Sequence, residues 1–201
     1  MIPLPVPLIL ASTSRYRRAQ LERLGVEFEA VAPPIEEERI RAEGPRSTVA
    51  LRAAFKACSV QELPEYEHCW ILGADQGVVL RGADGEDVLL GKPGDADKAV
   101  AQLMQLAGRT HELFTAIALA LPGGDLLEAQ ETVMITMRAF AEDEAREVVM
   151  RDRSWDCAGS YKIEGAGPWL MERVECADPT SIEGLPLLAV GRLLRAAGRA
   201  G

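Results

Sequence analysis

The segment that most constrains the fold is Leu8–Gly25, LILASTSRYRRAQLERLG. It begins with a short apolar run, Leu8–Ala11, of the kind that forms a strand buried on both faces. Three hydroxyl residues, Ser12–Ser14, follow at once, and their oxygens are natural acceptors for the free amides of a helix start. The pattern predicts a strand that leads directly into a helix over about residues 15–24, which stops at Gly25.

Three arginines crowd the first turn of this predicted helix: Arg15, Arg17 and Arg18. Cations are unfavourable there, because the helix dipole favours acids at its N-terminus. A phosphate lying between the hydroxyls, the backbone amides and an arginine would compensate. The alternative interpretation is an ordinary capped helix with solvated arginines. The position and density of the arginines favour the phosphate.

Strand and helix patterns follow one another along the rest of the chain. Further strands are predicted over about residues 28–31 and 69–74, the latter ending at Asp75–Gln76 with residues 77–80 continuing extended. Two more are predicted over about residues 112–121 and 126–137 and form a long antiparallel hairpin. Further helices are predicted over about residues 45–60, 95–106, 142–150 and 186–197. No repeat or break in composition divides residues 1–201, so we expect one domain with two lobes.

The composition excludes several classes of protein. A net charge of −9 argues against duplex nucleic acid as the main partner, since that demands a basic face. No apolar run approaches the roughly 20 residues that span a bilayer, and the start lacks the basic region of a signal peptide. We therefore expect a cytoplasmic protein with no membrane or nucleic-acid partner. The four cysteines and two histidines lack zinc-site spacing, which predicts reduced thiols.

Polar residues capable of phosphate and metal chemistry fall at predicted strand ends and in loops: Ser12, Arg17, Glu37, Lys56, Asp75 and Lys92. Carboxylates can hold a hard divalent cation and activate water, while lysines and arginines bind phosphate oxygens. No serine, cysteine or histidine has a recognisable nucleophile setting, so direct attack by water is favoured. Each residue taken singly is equally consistent with a solvated surface group. That alternative weakens for the set as a whole.

The chain resembles the Maf family of nucleoside triphosphate pyrophosphatases at motifs that follow in order along nearly its whole length. These are Leu10–Ser14 with Arg17, Ala32–Pro33 with Glu36–Glu37, Lys56, Gly73–Asp75, Gly91–Pro93, Ala158–Tyr161 and Gly184–Pro186. The resemblance implies a two-lobed α/β fold, related to that of the inosine triphosphate pyrophosphatases, with a central mixed sheet and a nucleotide cleft. It also implies hydrolysis of the α–β phosphoanhydride bond to a nucleoside monophosphate and pyrophosphate.

The resemblance also implies a role for each polar residue. Asp75 would accept the proton of the attacking water and, with Glu37, help to bind a divalent metal cation (Mg²⁺, Mn²⁺ or Co²⁺). Ser12, Arg17, Lys56 and Lys92 would bind the triphosphate.

One departure from the family pattern is Glu36, where the family often has aspartate, and the extra methylene could shift the metal contact slightly. Arg15 and Arg18 match no functional position of the family and are expected to be solvated. Homodimers are common in the family, although the sequence has no interface signature.

Three positions bear on the nucleotide: Tyr16, Gln76 and Glu164. Members of the family that act on dTTP and UTP usually carry arginine, threonine and glutamine there. The combination in this chain is similar to the branch that hydrolyses 7-methyl-GTP, although that branch commonly has tryptophan at the first position.

Chemistry supports the same choice of nucleotide. N7 methylation makes the guanine ring cationic, and stacking on an aromatic face such as that of Tyr16 gains on the order of 1 kcal/mol. Glu164 could accept hydrogen bonds from the guanine edge while offsetting the charge. The alternative interpretation is that Tyr16 is a surface aromatic residue and Glu164 a solvated acid in a loop.

The alternative functions are a dTTP/UTP pyrophosphatase of the same family and a nucleotide-binding regulator of septum formation.

Overall fold

A computed structural model of the protein describes residues 2–200. It has seven strands: β1 Leu8–Ala11, β2 Glu29–Val31, β3 Trp70–Arg81, β4 Asp87–Leu90, β5 Thr110–Ala120, β6 Leu126–Met137 and β7 Met171–Glu175. Its five α-helices are α1 Arg15–Glu22, α2 Pro45–Gln61, α3 Ala96–Leu106, α4 Glu142–Asp152 and α5 Leu187–Ala200. Short 3₁₀ helices lie in several of the connections.

The strands form a mixed sheet in the order β2-β1-β3-β5-β6-β7, with β4 paired to β3. Strand β1 is parallel to both β2 and β3, whereas β3 is antiparallel to β4 and β6 is antiparallel to β7. Strands β5 and β6 are neighbours joined by residues 121–125, as the predicted hairpin requires. The structure confirms an α/β fold with a central mixed sheet.

The apolar run Leu8–Ala11 is buried on both faces because helices cover β1 from either side. Leu8 and Leu10 pack in one core with residues of α1 and α5, among them Leu21 and Val190. Ile9 and Ala11 point to the other face, where the core includes Ala57 and Val60 of α2. The alternation along the strand explains why a buried strand is apolar at every position.

The chain divides into two compact units. The first consists of Met1–Asp75, Thr115–Glu131 and Asp178–Gly201, and the second of Gln76–Phe114 and Thr132–Ala177. The second unit contains α3 and α4, which pack together, and strands β4 and β7. The expectation of one domain with two lobes and a nucleotide cleft stays a prediction.

Most predicted strands and helices correspond to observed elements, with ends that differ by a few residues. The exception is the strand predicted to stop after residue 74, which continues to Arg81 as a single strand, β3. Strand β7 has no counterpart in the sequence prediction, whereas β4 is the second strand of the hairpin whose turn the residues Gly82–Gly85 indicate. Strand β7 has exposed charges at Glu172, Arg173 and Glu175, so it lacks the apolar alternation that marks a half-buried strand. No helix among residues 2–200 is long and apolar enough to cross a membrane.

Candidate active site

Two parallel strands bring the first site residues together. Ala11 of β1 lies opposite Gly73 of β3, so Ser12, just past the end of β1, is next to the stretch of β3 that holds Asp75. The strand end expected at Asp75 is wrong, because β3 continues to Arg81 and Asp75 lies in its middle. Both residues are buried, and Asp75, at the limit of the first unit, has only 3% of its surface exposed. A carboxylate at this depth must be paired or lose its charge.

Lys56 reaches Asp75 because α2 lies directly against β3. A Cβ added to Gly73 would stand 2.2 Å from the carbonyl oxygen of Ala53 and 2.7 Å from the amide nitrogen of Ala57. Glycine is therefore the residue that permits this close approach of helix to strand. Lys56 lies between these two alanines on the helix, which directs its side chain to Asp75 within β3.

Lys56 forms a buried ion cluster with two carboxylates. Its Nζ lies 2.7 Å from Glu37 Oε2 and 2.9 Å from Asp75 Oδ1, and it also donates to the carbonyl of Ala74 at 3.3 Å. The lysine is 4% exposed as a residue, whereas the side chain of Glu37 is 42% exposed. The cluster is thus buried on the Asp75 side and open at Glu37.

The two carboxylates have different proton affinities. Desolvation alone would raise the pKa of Glu37, but the charge and hydrogen bond of Lys56 outweigh it and lower this pKa to about 2. Desolvation raises the pKa of the more deeply buried Asp75 above its usual value, against the opposing charge of Lys56. Asp75 is therefore the more basic carboxylate of the pair.

Arg17 is the one buried arginine of the three in the first helix. Its Nε donates to the carbonyl of Gly184 at 3.1 Å, which fixes the plane of the guanidinium. Burial lowers the pKa of Arg17, while the charges of Asp75 and Glu37 act in the opposite direction. The guanidinium therefore belongs to the same electrostatic cluster as Lys56 and the two carboxylates.

The segment that orients Arg17 is itself held by α1. Gln20, one turn further along this helix, donates to the carbonyls of Thr180 at 2.8 Å and Leu185 at 3.1 Å. Gly184, which lies between Thr180 and Leu185 in the sequence, has a φ of 114°, a conformation that glycine adopts without strain. The sequence prediction gave Gln20 no role, because a glutamine within a helix carries no local signal. Gly184 appeared only as part of a motif.

The start of α1 is capped as the hydroxyl residues predict. Ser14 Oγ accepts from the backbone amide of Arg17 at 3.4 Å, and Ser12 Oγ accepts from the amide of Ser14 at 3.1 Å. Arg15 and Arg18 are exposed, as expected. Arg15 also covers the ring of Tyr16, with its guanidinium carbon 4.8 Å from the ring centroid and a 2.7 Å hydrogen bond to the phenol oxygen.

The remaining predicted site residues belong to the second unit. Gln76 follows Asp75 on β3 and is partly exposed, and Lys92 lies exposed in the loop after β4. Glu164 is exposed in the glycine-rich segment before β7. The structure thus brings Ser12, Arg17, Glu37, Lys56 and Asp75 together within the first unit, with Tyr16 beside Arg17 on α1.

The loop that carries Glu164 is fixed at both ends. Lys162 Nζ donates to the carbonyl of Asp152 at 2.7 Å, and the amide of Ala166 donates to the carboxylate of Asp152 at 2.5 Å. A Cβ added to Gly165 would stand 2.3 Å from that carboxylate. The end of α4 therefore presents Glu164 on an ordered turn.

Neither a disulfide nor a zinc-type site is present in the described chain. All four cysteines are free, as predicted. Among residues 2–200, no group of three or more histidine, cysteine, aspartate and glutamate side chains is placed to hold a metal ion. Any cation at the Glu37–Asp75 pair would accordingly need other ligands, from water or from a substrate.

Fold and site together define an α/β protein with a largely buried cluster of two carboxylates, a lysine and an arginine beside the inner strands β1 and β3 of a mixed sheet. The chain belongs to the family described as "Maf-like protein", which matches residues 7–197.

Curated relatives are similar over nearly the whole chain. Two of them are named "7-methyl-GTP pyrophosphatase": one from Xanthomonas oryzae pv. oryzae (strain MAFF 311018), 41% identical, and one from Xanthomonas campestris pv. campestris (strain 8004), 38% identical. Each alignment covers 95% of this chain and 96% of the relative. A relative of the same name from Polaromonas sp. (strain JS666 / ATCC BAA-500) is 37% identical over 98% of this chain and 88% of its own length.

Similar solved structures are more distant. A nucleoside-triphosphatase / dITP/XTP pyrophosphatase from Mycobacterium abscessus is 18% identical with a TM-score of 0.43, covering 65% of this chain and 74% of its own. The Ham1 protein of Staphylococcus aureus is 10% identical with a TM-score of 0.42, covering 65% and 71%.

Proposed function

We propose that this protein hydrolyses 7-methyl-GTP to 7-methyl-GMP and pyrophosphate. The observation that carries the proposal is the buried cluster in which Lys56 lies between Glu37 and Asp75 while Arg17 is held beside them. Such a cluster combines a base for water with cations for a triphosphate. The curated relatives named above support the choice of substrate.

Asp75 is the residue suited to accept a proton from water. Its Oδ1 is bound to Lys56, whereas its Oδ2 is buried without a hydrogen-bond partner among the described residues. A carboxylate with a raised pKa is also a better base than one held near 2. In the proposed reaction the water oxygen bonds to the α-phosphorus, its proton passes to Asp75, and the bridging oxygen leaves with pyrophosphate.

The two carboxylates fit a divalent cation of the Mg²⁺ type. Such cations are often bound by one or two carboxylates, with the other ligands supplied by water and substrate phosphates. Glu37, whose side chain is the more open of the two, would hold it with help from Asp75. When bound, the cation supplies charge neutralisation at the phosphate oxygens. Because Lys56 already neutralises part of the carboxylate charge, we expect the cation to bind together with the nucleotide.

Cationic side chains stabilise the leaving pyrophosphate, on which negative charge accumulates. Arg17 and Lys56 are fixed in place by their bonds to Gly184 and to the two carboxylates, so little reorganisation is needed when phosphate arrives. Ser12, at the end of β1, adds a hydroxyl donor. Lys92 is the fourth proposed phosphate ligand.

Specificity for the methylated base is assigned to Tyr16, Gln76 and Glu164. Because Arg15 covers one face of the Tyr16 ring, a cationic base would stack on the opposite face. Glu164 would accept hydrogen bonds from the guanine edge and offset the positive charge. The nucleotide cleft, the cytoplasmic location and a homodimer stay predictions that accompany this proposal.

The direct test is a panel of nucleotides assayed with purified protein and Mg²⁺, Mn²⁺ or Co²⁺. We expect a clear preference in kcat/KM for 7-methyl-GTP over GTP, dTTP and UTP, with pyrophosphate as a product. A clear preference for dTTP or UTP would contradict the assignment of the base and favour the pyrimidine branch of the family.

Replacing the proposed base separates an enzyme from a regulator that only binds nucleotide. We expect Asp75→Asn to lower kcat by about 10²- to 10⁴-fold, because the water loses its proton acceptor, while calorimetry still detects nucleotide binding. Asp125→Asn removes an exposed carboxylate from the β5–β6 connection and serves as the matched control. Unchanged turnover in Asp75→Asn would remove this residue from the mechanism.

A further inference from the structure

Ser160 has an unusual backbone conformation. Its φ is 62°, and among the described residues only Arg153 and Ser160 have positive φ without being glycine. Such a conformation costs free energy in any residue with a Cβ, and it persists where surrounding contacts determine it. Ser160 is fully buried, with 0% of its surface exposed. Its contacts therefore have to account for the strained backbone.

Those contacts form a continuous chain of hydrogen bonds. Ser154 Oγ donates to the carbonyl of Ser160 at 2.7 Å, and Ser160 Oγ donates to Gln102 Oε1 at 2.6 Å. The amide nitrogen of Gln102 then donates to the carbonyl of Gly91 at 3.0 Å. With the amide oxygen accepting from Ser160 and the nitrogen donating to Gly91, the orientation of the Gln102 amide is determined at both ends.

The chain of bonds ends beside Lys92. Gly91 immediately precedes this lysine, and two residues after it the amide of Gly94 donates to the carbonyl of Trp155 at 2.9 Å. The backbone is thus anchored on both sides of Lys92, although the lysine itself is exposed. Only residues 91–95 separate the end of β4 from the start of α3, so the loop has little freedom left.

We propose that Gln102 and Ser160 are positioning residues that fix the backbone of Lys92 for binding the triphosphate. This inference rests on the proposed function, in which Lys92 binds phosphate. A lysine whose backbone is already fixed loses less conformational entropy when it binds phosphate. The positive φ of Ser160 places its hydroxyl within hydrogen-bond distance of the Gln102 amide oxygen. This bond turns the amide nitrogen of Gln102 toward the carbonyl of Gly91.

Gln102→Glu removes a single hydrogen bond from this series, the one to the carbonyl of Gly91. A glutamate keeps an acceptor for Ser160 but replaces the donor to the Gly91 carbonyl with a carboxylate oxygen. We expect kcat/KM for 7-methyl-GTP to fall roughly 10- to 100-fold, as for small misplacements of a ligand-binding group. Ser160→Ala, which removes the hydroxyl and retains the backbone requirement, should lower kcat/KM in the same direction. The matched control is Gln105→Glu, which makes the same chemical change on the exposed side of the same helix.

A mutant cycle with Lys92→Ala distinguishes positioning from a general structural role. If Gln102 acts through Lys92, Gln102→Glu should change kcat/KM less than about twofold once the lysine is absent. Equal losses in both backgrounds, or no loss in either, would overturn the proposal. Urea unfolding of each variant checks that the comparison is made between folded proteins.

Binding of inorganic tripolyphosphate, measured by calorimetry, keeps this test separate from the test of the activity. If the wild type binds tripolyphosphate but does not hydrolyse 7-methyl-GTP, the proposed function fails, and the same cycle in Kd still decides the role of Gln102. Coupled losses of affinity would support the positioning role. Additive losses, or a wild type that neither hydrolyses nucleotide nor binds tripolyphosphate, would overturn it.

Discussion

The buried histidine of β5 makes the stability of the protein depend on pH. His111 is 2% exposed, its Nε2 lies 3.0 Å from Tyr161 Oη, and its buried Nδ1 has no hydrogen-bond partner among residues 2–200. Burial lowers its pKa from 6.5 to about 4, so the unfolded chain takes up a proton at a higher pH than the folded protein does. Its contribution is therefore fully present above pH 6.5 and is lost as the pH falls toward 4. Between pH 7.5 and pH 5 the loss amounts to about 2 kcal/mol.

The measurement is the free energy of unfolding in urea at both pH values for the wild type and His111→Gln. Glutamine cannot be protonated, so the stability advantage of the wild type should shrink by about 2 kcal/mol at pH 5 while effects of the carboxylates cancel. His68→Gln is the control, because the side chain of His68 is 88% exposed. If wild type and His111→Gln keep a constant difference in stability from pH 7.5 to pH 5, the assignment of a neutral buried imidazole is wrong.

Two further predictions concern packing and base recognition. Gly73→Ala should lower the free energy of unfolding by about 3 kcal/mol or more, because the new Cβ would meet the backbone of α2 at 2.2 Å and separate it from β3. In Gly91→Ala, where an added Cβ meets nothing within 4 Å, urea unfolding should give a change below about 0.5 kcal/mol. Glu164→Gln should lower kcat/KM for 7-methyl-GTP far more than for a pyrimidine nucleotide; equal losses would assign Glu164 to the fold.

Local signals in the sequence predicted most of the secondary structure. Ser14 caps α1 and Asp95 caps α3 through bonds to residues three positions later, which a short window of sequence can reveal. Gly25, predicted to stop the first helix, has φ of 65°. These features depend on residues that are neighbours in the sequence. Strand β7 depends instead on its pairing with β6, and its own sequence shows no apolar period.

The site was predictable to the extent that residue types reveal their chemistry, whereas the strand end expected at Asp75 was wrong because β3 continues to Arg81. Asp75 and Lys56 are of the right types, and the resemblance to the Maf family singled out Arg17 from three arginines that the local pattern could not separate. Burial then distinguishes Arg17 from Arg15 and Arg18, because only Arg17 has an acceptor for its Nε at Gly184. The roles of Gln102 and Ser160 were beyond the sequence, since their bond joins residues 58 positions apart.

The bond between Arg17 and Gly184 has a consequence for the order in which the protein matures. These residues are 167 positions apart, and Gln20 ties the same segment to the same helix. During synthesis, Ser12, Arg17, Glu37, Lys56 and Asp75 all leave the ribosome well before residues 180–185. A nascent chain would therefore carry all five side chains before the acceptor that orients Arg17 has been synthesised, so we expect the site to be completed only after residues 180–185 have joined the fold.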